Sequence, residues 1–425
     1  MATSAGERIL TLDVIRGIAV MGILSVNIVG MAMIEDAYFY PPAYGFHSTG
    51  DKVMWALNSI FVDGRFRAMF SILFGASMTL VVTRAIEAGK KGWRVHYARM
   101  IVLLLFGCIH YYVLWWGDIL MNYALVGMVA FAFWRLKPSL LVLAACAALA
   151  YSYVPAVVFG LPEIHEIKLG MQPGASPALQ EKAHKAFAQI TPSPAELESD
   201  RQAHESLAAH TRAMSHGDAA LDPWESVYGY GIETLGFMLL GIAAFKTGFL
   251  TGEWPRRRYV EIAVACLGFD LLIQTYAAYL ILQANLDPFT FMPWDRIFLS
   301  PLRAVGGFGY IALIILLFSR RSALAERFAA IGRAAFTNYL GSTIIATLVF
   351  FGTFGGLYGQ LSRGQAWLIV PVIWAVMLLW SKPWLERYNY GPFEWAWRSL
   401  SRWKLQPMRK AASRSPSRAA EFPVA

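Results

Sequence analysis

Runs of mostly apolar residues, each about the 20 residues a helix needs to cross the hydrocarbon core of a bilayer, recur along the whole chain. They read as spans at roughly 12–33, 66–83, 98–116, 118–135, 139–160, 228–250, 259–282, 298–318, 334–354 and 366–381. In lipid every backbone N–H and C=O must be satisfied internally, so only helices and closed barrels cross. Membrane strands need only about 9–11 residues, so runs of this length point to helices. The expectation is an all-α polytopic bundle of about ten transmembrane helices.

Composition agrees. The 425 residues are 57% hydrophobic and 15% charged, where soluble domains carry roughly 25% charged residues. A mean hydropathy of +0.45 leaves little room for a separate soluble domain. The chain divides into a five-helix half (1–160), a polar connection (161–223), a second five-helix half (224–381) and a tail (382–425).

The net charge of +9 raises nucleic acid as a partner. The placement of the basic residues excludes it, because they fall in short loops between apolar runs, as membrane topology dictates. Arg84 to Arg99 holds five Lys or Arg, Lys246 to Arg258 four, Arg320 to Arg333 four, and the tail from Lys382 nine. With ten spans and a cytoplasmic N-terminus, all of these fall on the cytoplasmic side, joined by Arg8, Arg16, Arg135 and Lys137. Membrane lipids are then partners by necessity, and a bacterial inner membrane is the expected location. No cleavable signal peptide is expected, since the first apolar run is long enough to remain a span.

Cys108, Cys146 and Cys266 lie inside apolar runs, which fits buried thiols and no disulfide framework. The 161–223 connection holds five of the eight histidines, but their spacing fits no metal template, so no metal is expected. It reads as a polar cap broken by Pro173, Pro177, Pro192 and Pro194. Residues 392–404 put Phe393, Ala396, Trp397 and Leu400 on one helical face, the pattern of an interfacial helix. The run beyond Met408 is too polar to bury a core.

Polar side chains within spans are costly and mark functional or helix-pairing positions. Asp13, Arg16 and Asn27 share one face of the first span; at 3.6 residues per turn, Arg16 and Asn27 are about 20° off alignment. An i,i+3 salt bridge is the simplest role for Asp13 and Arg16; binding an anionic group from the cytoplasm is the alternative. Arg65 and Arg67 fall near the outer interface, where they either snorkel to headgroups or anchor a substrate. His110 lies below the Trp115–Trp116 belt, with Asp118 and Asn122 just across a tight turn at Gly117. A histidine oriented by a carboxylate is what general base catalysis requires. His47 lies in the first outer loop. Arg333, Thr337, Asn338 and Ser342 add polarity to the ninth span, with helix packing as the plain alternative. There is no Walker loop, GxSxG elbow, dinucleotide fingerprint or HExxH.

Five segments occur in order: LDVIRGIAVMGILSVNI (12–28), GRFRAMFSILFGAS (64–77), LLLFGCIHYYVLWWGDILMNYALVGM (103–128), IGRAAFTNYLGST (331–343) and YGPFEWAWRSL (390–400). Together they resemble the YeiB-like bacterial inner-membrane proteins, whose C-terminal part is known as domain of unknown function 418. The opening LD-x-x-RG…N also resembles the wider transmembrane acyltransferase superfamily, which includes heparan-α-glucosaminide N-acetyltransferase. That resemblance implies transfer of an acyl group from cytoplasmic acyl-CoA, a co-substrate rather than a resident cofactor, to an extracytoplasmic sugar, lipid or similar acceptor. It implies His47 by region and His110 by motif as the catalytic histidine, and the closer motif favours His110 with Asp118. Asp13, Arg16, Asn27, Arg333 and Asn338 would serve the donor, and Arg65, Arg67 and Asn122 the acceptor. The competing expectation is a transporter or exporter of a small anionic metabolite or lipid.

Overall fold

A computed structural model describes residues 10–410; Arg8 and the tail beyond Lys410 lie outside the described residues. Helices account for nearly all regular structure. In chain order they are α1 (Leu10–Ala32), α2 (Glu35–Phe39), α3 (Thr49–Phe61), α4 (Arg65–Glu87), α5 (Gly92–Ile109), α6 (Leu120–Ala130), α7 (Pro138–Pro155), α8 (Leu161–Gly170), α9 (Pro177–Ala188), α10 (Pro194–Ala203) and α11 (Leu207–Met214). There follow α12 (Asp222–Lys246), α13 (Arg256–Ile262), α14 (Gly268–Gln283), α15 (Pro288–Met292), α16 (Leu302–Leu317), α17 (Ala323–Arg333), α18 (Ala335–Phe350), α19 (Arg363–Trp367), α20 (Ile369–Arg387) and α21 (Pro392–Ser401).

Among the described residues, seven helices are long and apolar enough to cross a membrane, and a bent pair, Pro288–Phe298 with Leu302–Leu317, makes an eighth candidate. The protein is therefore a multi-pass helical membrane bundle. The fourth and ninth runs of the sequence form the shorter apolar helices Leu120–Phe133 and Ala335–Phe350. The bundle has two unlike ends. The cap end gathers α2, α3, α8–α11, α15 and α19. The basic end gathers the Arg84–Arg99, Lys246–Arg258 and Arg320–Arg333 segments with α21.

Glycine sets the tightest helix crossings. A Cβ on Gly75 would run into the Met238 carbonyl, and one on Gly241 into that of Ile72, so α4 and α12 meet backbone to backbone. Gly17 and Gly332 do the same for α1 and α17, against the Phe328 and Asp13 carbonyls. Lipid tails are as apolar as Leu, so close van der Waals contact between small residues replaces the hydrophobic drive used in water.

A fully buried ion pair ties α4 to α14. Arg65 Nε donates to Asp270 Oδ2 at 2.7 Å, and both side chains have zero solvent exposure. Arg65 Nη1 donates to the Ser59 and Asp63 carbonyls, both at 2.8 Å, closing the turn between α3 and α4. Gly64, at φ +71°, makes that turn where a side chain would strike Arg303.

At the basic end α21 lies across the start of α18. Glu394 Oε1 accepts from the Phe336 and Thr337 amides at 2.7 and 3.1 Å, and Oε2 from the Thr337 hydroxyl at 2.6 Å. A carboxylate there satisfies orphan N–H groups and complements the helix dipole. Trp397 Nε1 donates to the Arg99 carbonyl at 2.8 Å, with the Arg99 guanidinium 4.1 Å above its ring. The interfacial helix of the sequence reading thus ends at Ser401 and is docked on the bundle.

At the cap end, α10 and α11 are pinned to the loop after α18. The His204 ring stacks on Tyr358 at 3.7 Å, Tyr358 donates to Asp200 Oδ2 at 2.7 Å, and the Gly352 amide donates to the His204 carbonyl at 3.0 Å. His210 is fully buried beside His204 and Phe351, and neither ring nitrogen has a hydrogen-bond partner among the described residues. Burial holds both imidazoles below their ordinary range, His210 down to about 3. Tyr111 and Tyr112 donate to the Ala219 and Ala220 carbonyls at 2.8 Å, binding the end of the cap to the helix that carries His110.

Candidate functional site

Beneath the cap end lies a cavity of about 640 Å³, within the 300–1,000 Å³ range of ordinary ligand sites. Its walls come from elements far apart in sequence. α1 supplies Ser25 and Asn27, the α3–α4 turn Asp63, α4 Arg67, and the chain before α6 supplies Trp115, Trp116 and Asp118. α7 gives Tyr153, α12 gives Tyr230 and Glu233, and the α15–α16 region gives Asp295, Arg296 and Arg303. Among the lining residues, Glu35, Asp63, Gly229, Tyr230 and Arg296 are the exposed ones and mark its mouth.

Charge in the cavity is nearly balanced. Arg67, Arg296, Arg303 and Arg363 face it together with Glu35, Asp63, Asp118, Glu233 and Asp295. Glu233 is the hub. It pairs with Arg67, accepts from Arg303 Nη1 at 3.1 Å and from the Tyr153 hydroxyl at 2.7 Å, joining α4, α7, α12 and α16. The helix carrying Asp295 and Arg303 is broken, with a 60° bend between Pro288–Phe298 and Leu302–Leu317. Non-helical backbone at membrane depth is tolerated where it lines a polar cavity. The Asn122 side chain, buried in the cavity wall, has an Oδ1 with no hydrogen-bond partner among the described residues, and so does Arg363 Nε.

His110 stands just behind this wall. The chain widens there into a π-type turn, His110–Leu114, and then reverses into α6. That reversal brings Asp118 Oδ1 to 2.8 Å from His110 Nδ1, and both side chains are fully buried. Asp118 Oδ2 accepts the Met121 amide at 2.8 Å, fixing the carboxylate at the first turn of α6. On the other side of the ring, His110 Nε2 lies 3.0 Å from Thr343 Oγ1 of α18. The ring packs against Tyr339 at 5.2 Å and Trp115 at 6.2 Å between centroids.

The residues singled out from sequence divide into four groups. His110 and Asp118 are hydrogen-bonded partners, and Asp118, Asn27, Asn122 and Arg67 line the cavity. Arg65 does not line it, because its guanidinium is turned to Asp270 and the α3–α4 turn. His47 is exposed away from the cavity, with its amide on Asp51 Oδ2 at 3.0 Å. Asp13, Arg16, Arg333 and Asn338 lie towards the basic end. Asp13 pairs with Arg16 at 3.0 Å, Arg16 also donates to Ser77 at 2.7 Å, and Asn338 Nδ2 donates to the Ile331 carbonyl and Ser381. Trp380 Nε1 donates to Asn338 Oδ1, so that amide serves packing of α18 on α20.

Comparison with known proteins gives the family. The chain is 30% identical over 404 residues to the uncharacterized protein YeiB of Escherichia coli (strain K12), covering 93% of this chain and 96% of the relative. The chain belongs to the YeiB-like family. The uncharacterized protein YxaH of Bacillus subtilis (strain 168) is 27% identical over 96% of this chain and 98% of its own length. The family model described as protein of unknown function (DUF418) matches residues 244–404, so this YeiB-like chain carries that region over α13 to α21.

Sequence reasoning passed over Glu233, Asp270, Asp295, Arg303, Arg363 and Thr343. The first four are charged residues in or beside apolar runs, so a full census of intramembrane charge would have raised them. Thr343 carries no such signal, because a threonine in a membrane helix usually bonds its own backbone. Among the described residues, no group of three His, Cys, Asp or Glu side chains is placed to hold a metal ion.

Proposed function

We propose that this protein transfers an acyl group from acyl-CoA to a polar acceptor held in the 640 Å³ cavity, with His110 as the base. The reading includes ten crossings of a bacterial inner membrane, both termini cytoplasmic, so that the basic end faces the cytoplasm and the cap end faces out. The observation that carries it is the His110–Asp118 hydrogen bond, with Asp118 in the cavity wall and His110 just behind it. In the neutral ring the carboxylate accepts from Nδ1–H, which leaves the Nε2 lone pair, on the side facing Thr343, to take a proton.

The near-balance of charge in the cavity does not favour the phosphates of coenzyme A. Those belong at the basic end, with Arg16 and Arg333 and with Arg99 beside them under α21. Asn27 lies eleven residues beyond Arg16 on the same helix, a rise of about 16 Å. One face of α1 thus runs from donor to acceptor. Arg67, Asn27 and Asn122 would orient the acceptor hydroxyl or amine.

The 60° break beside Asp295 and Arg303 favours a second reading, export of a small anionic metabolite or lipid, since broken helices are where transporters bind substrate. One assay separates the two. Purified protein in liposomes is given labelled acetyl-CoA and a panel of sugars and glycolipids. Acyl transfer, or acyl-CoA hydrolysis without acceptor, that falls about 10²–10⁴-fold in His110→Ala supports the enzyme. Accumulation of an unmodified solute with no turnover supports the exporter and refutes acyl transfer.

A further inference from the structure

We propose that Thr343 is the group that carries the acyl chain, so that transfer proceeds in two covalent steps through a threonyl ester. This rests on the acyl-transfer reading and adds to it a residue and an intermediate. Three groups lie in line: Asp118 Oδ1 is 2.8 Å from His110 Nδ1, and His110 Nε2 is 3.0 Å from Thr343 Oγ1. A nucleophilic hydroxyl, its base and the carboxylate orienting that base, each within hydrogen-bond reach of the next, are the parts of an activated nucleophile on any fold.

The hydroxyl lies closer to the ring than to its own helix. Thr343 Oγ1 is 3.5 Å from the Tyr339 carbonyl, while its neighbours make the usual back-bonds, Ser342 at 2.7 Å and Thr347 at 3.0 Å. With Asp118 accepting from Nδ1–H, Nε2 has no proton to donate, so the Thr343 O–H points at a lone pair. A small void of about 10 Å³ touches Thr343. Trp115 lines both this void and the large cavity, so its indole is the partition between the hydroxyl and the acceptor space.

Position along the helix fits the task. Thr343 lies eight residues into α18 from its basic end, about 12 Å at 1.5 Å per residue. A carrier at that depth can be loaded from one side and unloaded to the other. In the first step the Oγ1–acyl carbon bond forms and the carbon–sulfur bond of the thioester breaks. The hydroxyl proton passes to His110 Nε2 and then to the departing thiolate, giving free coenzyme A. In the second step an acceptor hydroxyl or amine gives its proton to Nε2 and attacks the ester. The carbon–Oγ1 bond breaks, and the proton returns to Thr343.

Full-length protein in nanodiscs is incubated with radiolabelled acetyl-CoA, denatured, digested and analysed by mass spectrometry. The expected result is an acetyl group on Thr343, released by hydroxylamine. The label is lost in Thr343→Val, retained in Thr343→Ser, and slowed about 100-fold or more in His110→Gln. Transfer by Thr343→Val should fall by a similar factor, with its thermal unfolding near that of the parent. Undiminished transfer in Thr343→Val, or label on His110 instead, overturns this proposal and leaves acyl transfer standing. Absence of any acyl-CoA turnover in the unaltered protein refutes the acyl-transfer reading itself.

Discussion

Separating Arg65 from Asp270 tests whether polarity inside this bundle is structural. The pair is completely buried, with Nε at 2.7 Å from Oδ2, and Gly306 leaves no space beside it, since a Cβ there would stand 2.6 Å from Asp270 Oδ2 and 2.9 Å from Arg65 Cγ. Water has no room to replace a lost partner. Removing one member of a buried pair costs about 3–5 kcal/mol because the other charge remains unmatched. Asp270→Leu leaves the guanidinium with its two carbonyl contacts only, both at 2.8 Å. The double change Arg65→Met with Asp270→Leu removes both charges and should return to within about 1–2 kcal/mol of the parent, since an apolar replacement of a buried pair is often neutral. Unfolding of purified protein in mild detergent, followed by tryptophan fluorescence, gives the four corners of the cycle. With each single change costing about 3–5 kcal/mol and the double change about 1–2, the reasoning predicts a coupling energy of at least about 4 kcal/mol. A single Asp270→Leu within about 0.5 kcal/mol of the parent would refute it.

Other expectations follow from particular contacts. Buried His204 and His210 take up protons less readily when the cap is docked than when it is free. Docking is therefore at full strength above the ordinary histidine range and weakens as pH falls from about 6.5 towards the depressed value of His210. The His210 contribution lost by pH 5 is about 2 kcal/mol, read as faster hydrogen exchange over 194–214 at pH 5 than at pH 7.5, a difference that shrinks in His210→Phe to what His204 contributes. Gly241→Val, which forces a side chain into the Ile72 carbonyl, should drive α4 and α12 apart and lower the unfolding temperature more than any surface change, as a melting curve would show. Glu394→Ala strips the start of α18 of its carboxylate cap and should cost about 1–2 kcal/mol, with Glu394→Gln recovering part in the same melt.

The apolar runs made the helical membrane bundle legible, because a span long enough to cross lipid leaves a one-dimensional mark. The His110–Asp118 pair was legible for a similar reason: only a short turn separates the two residues. The cavity was not. Its residues come from α1, α4, α7, α12 and α16, and no local pattern announces that Tyr153 and Arg303 will share Glu233. Arg65 shows how position alone misleads. Near the end of an apolar run it resembles a headgroup anchor, yet its partner Asp270 is 205 residues away and turns it inward. Asn338 reads as site polarity but is consumed by Ile331, Ser381 and Trp380.

The Glu394 clasp also bears on how the chain is made. α18 leaves the ribosome nearly sixty residues before the carboxylate that seals its first turn. Until α21 is synthesised, the helix bearing Thr343 begins with bare amides at the membrane surface. The start of α18 is thus fastened only by a segment made well after it. A message cut short before Pro392 would deliver α18 to the bilayer and leave its first turn without this carboxylate.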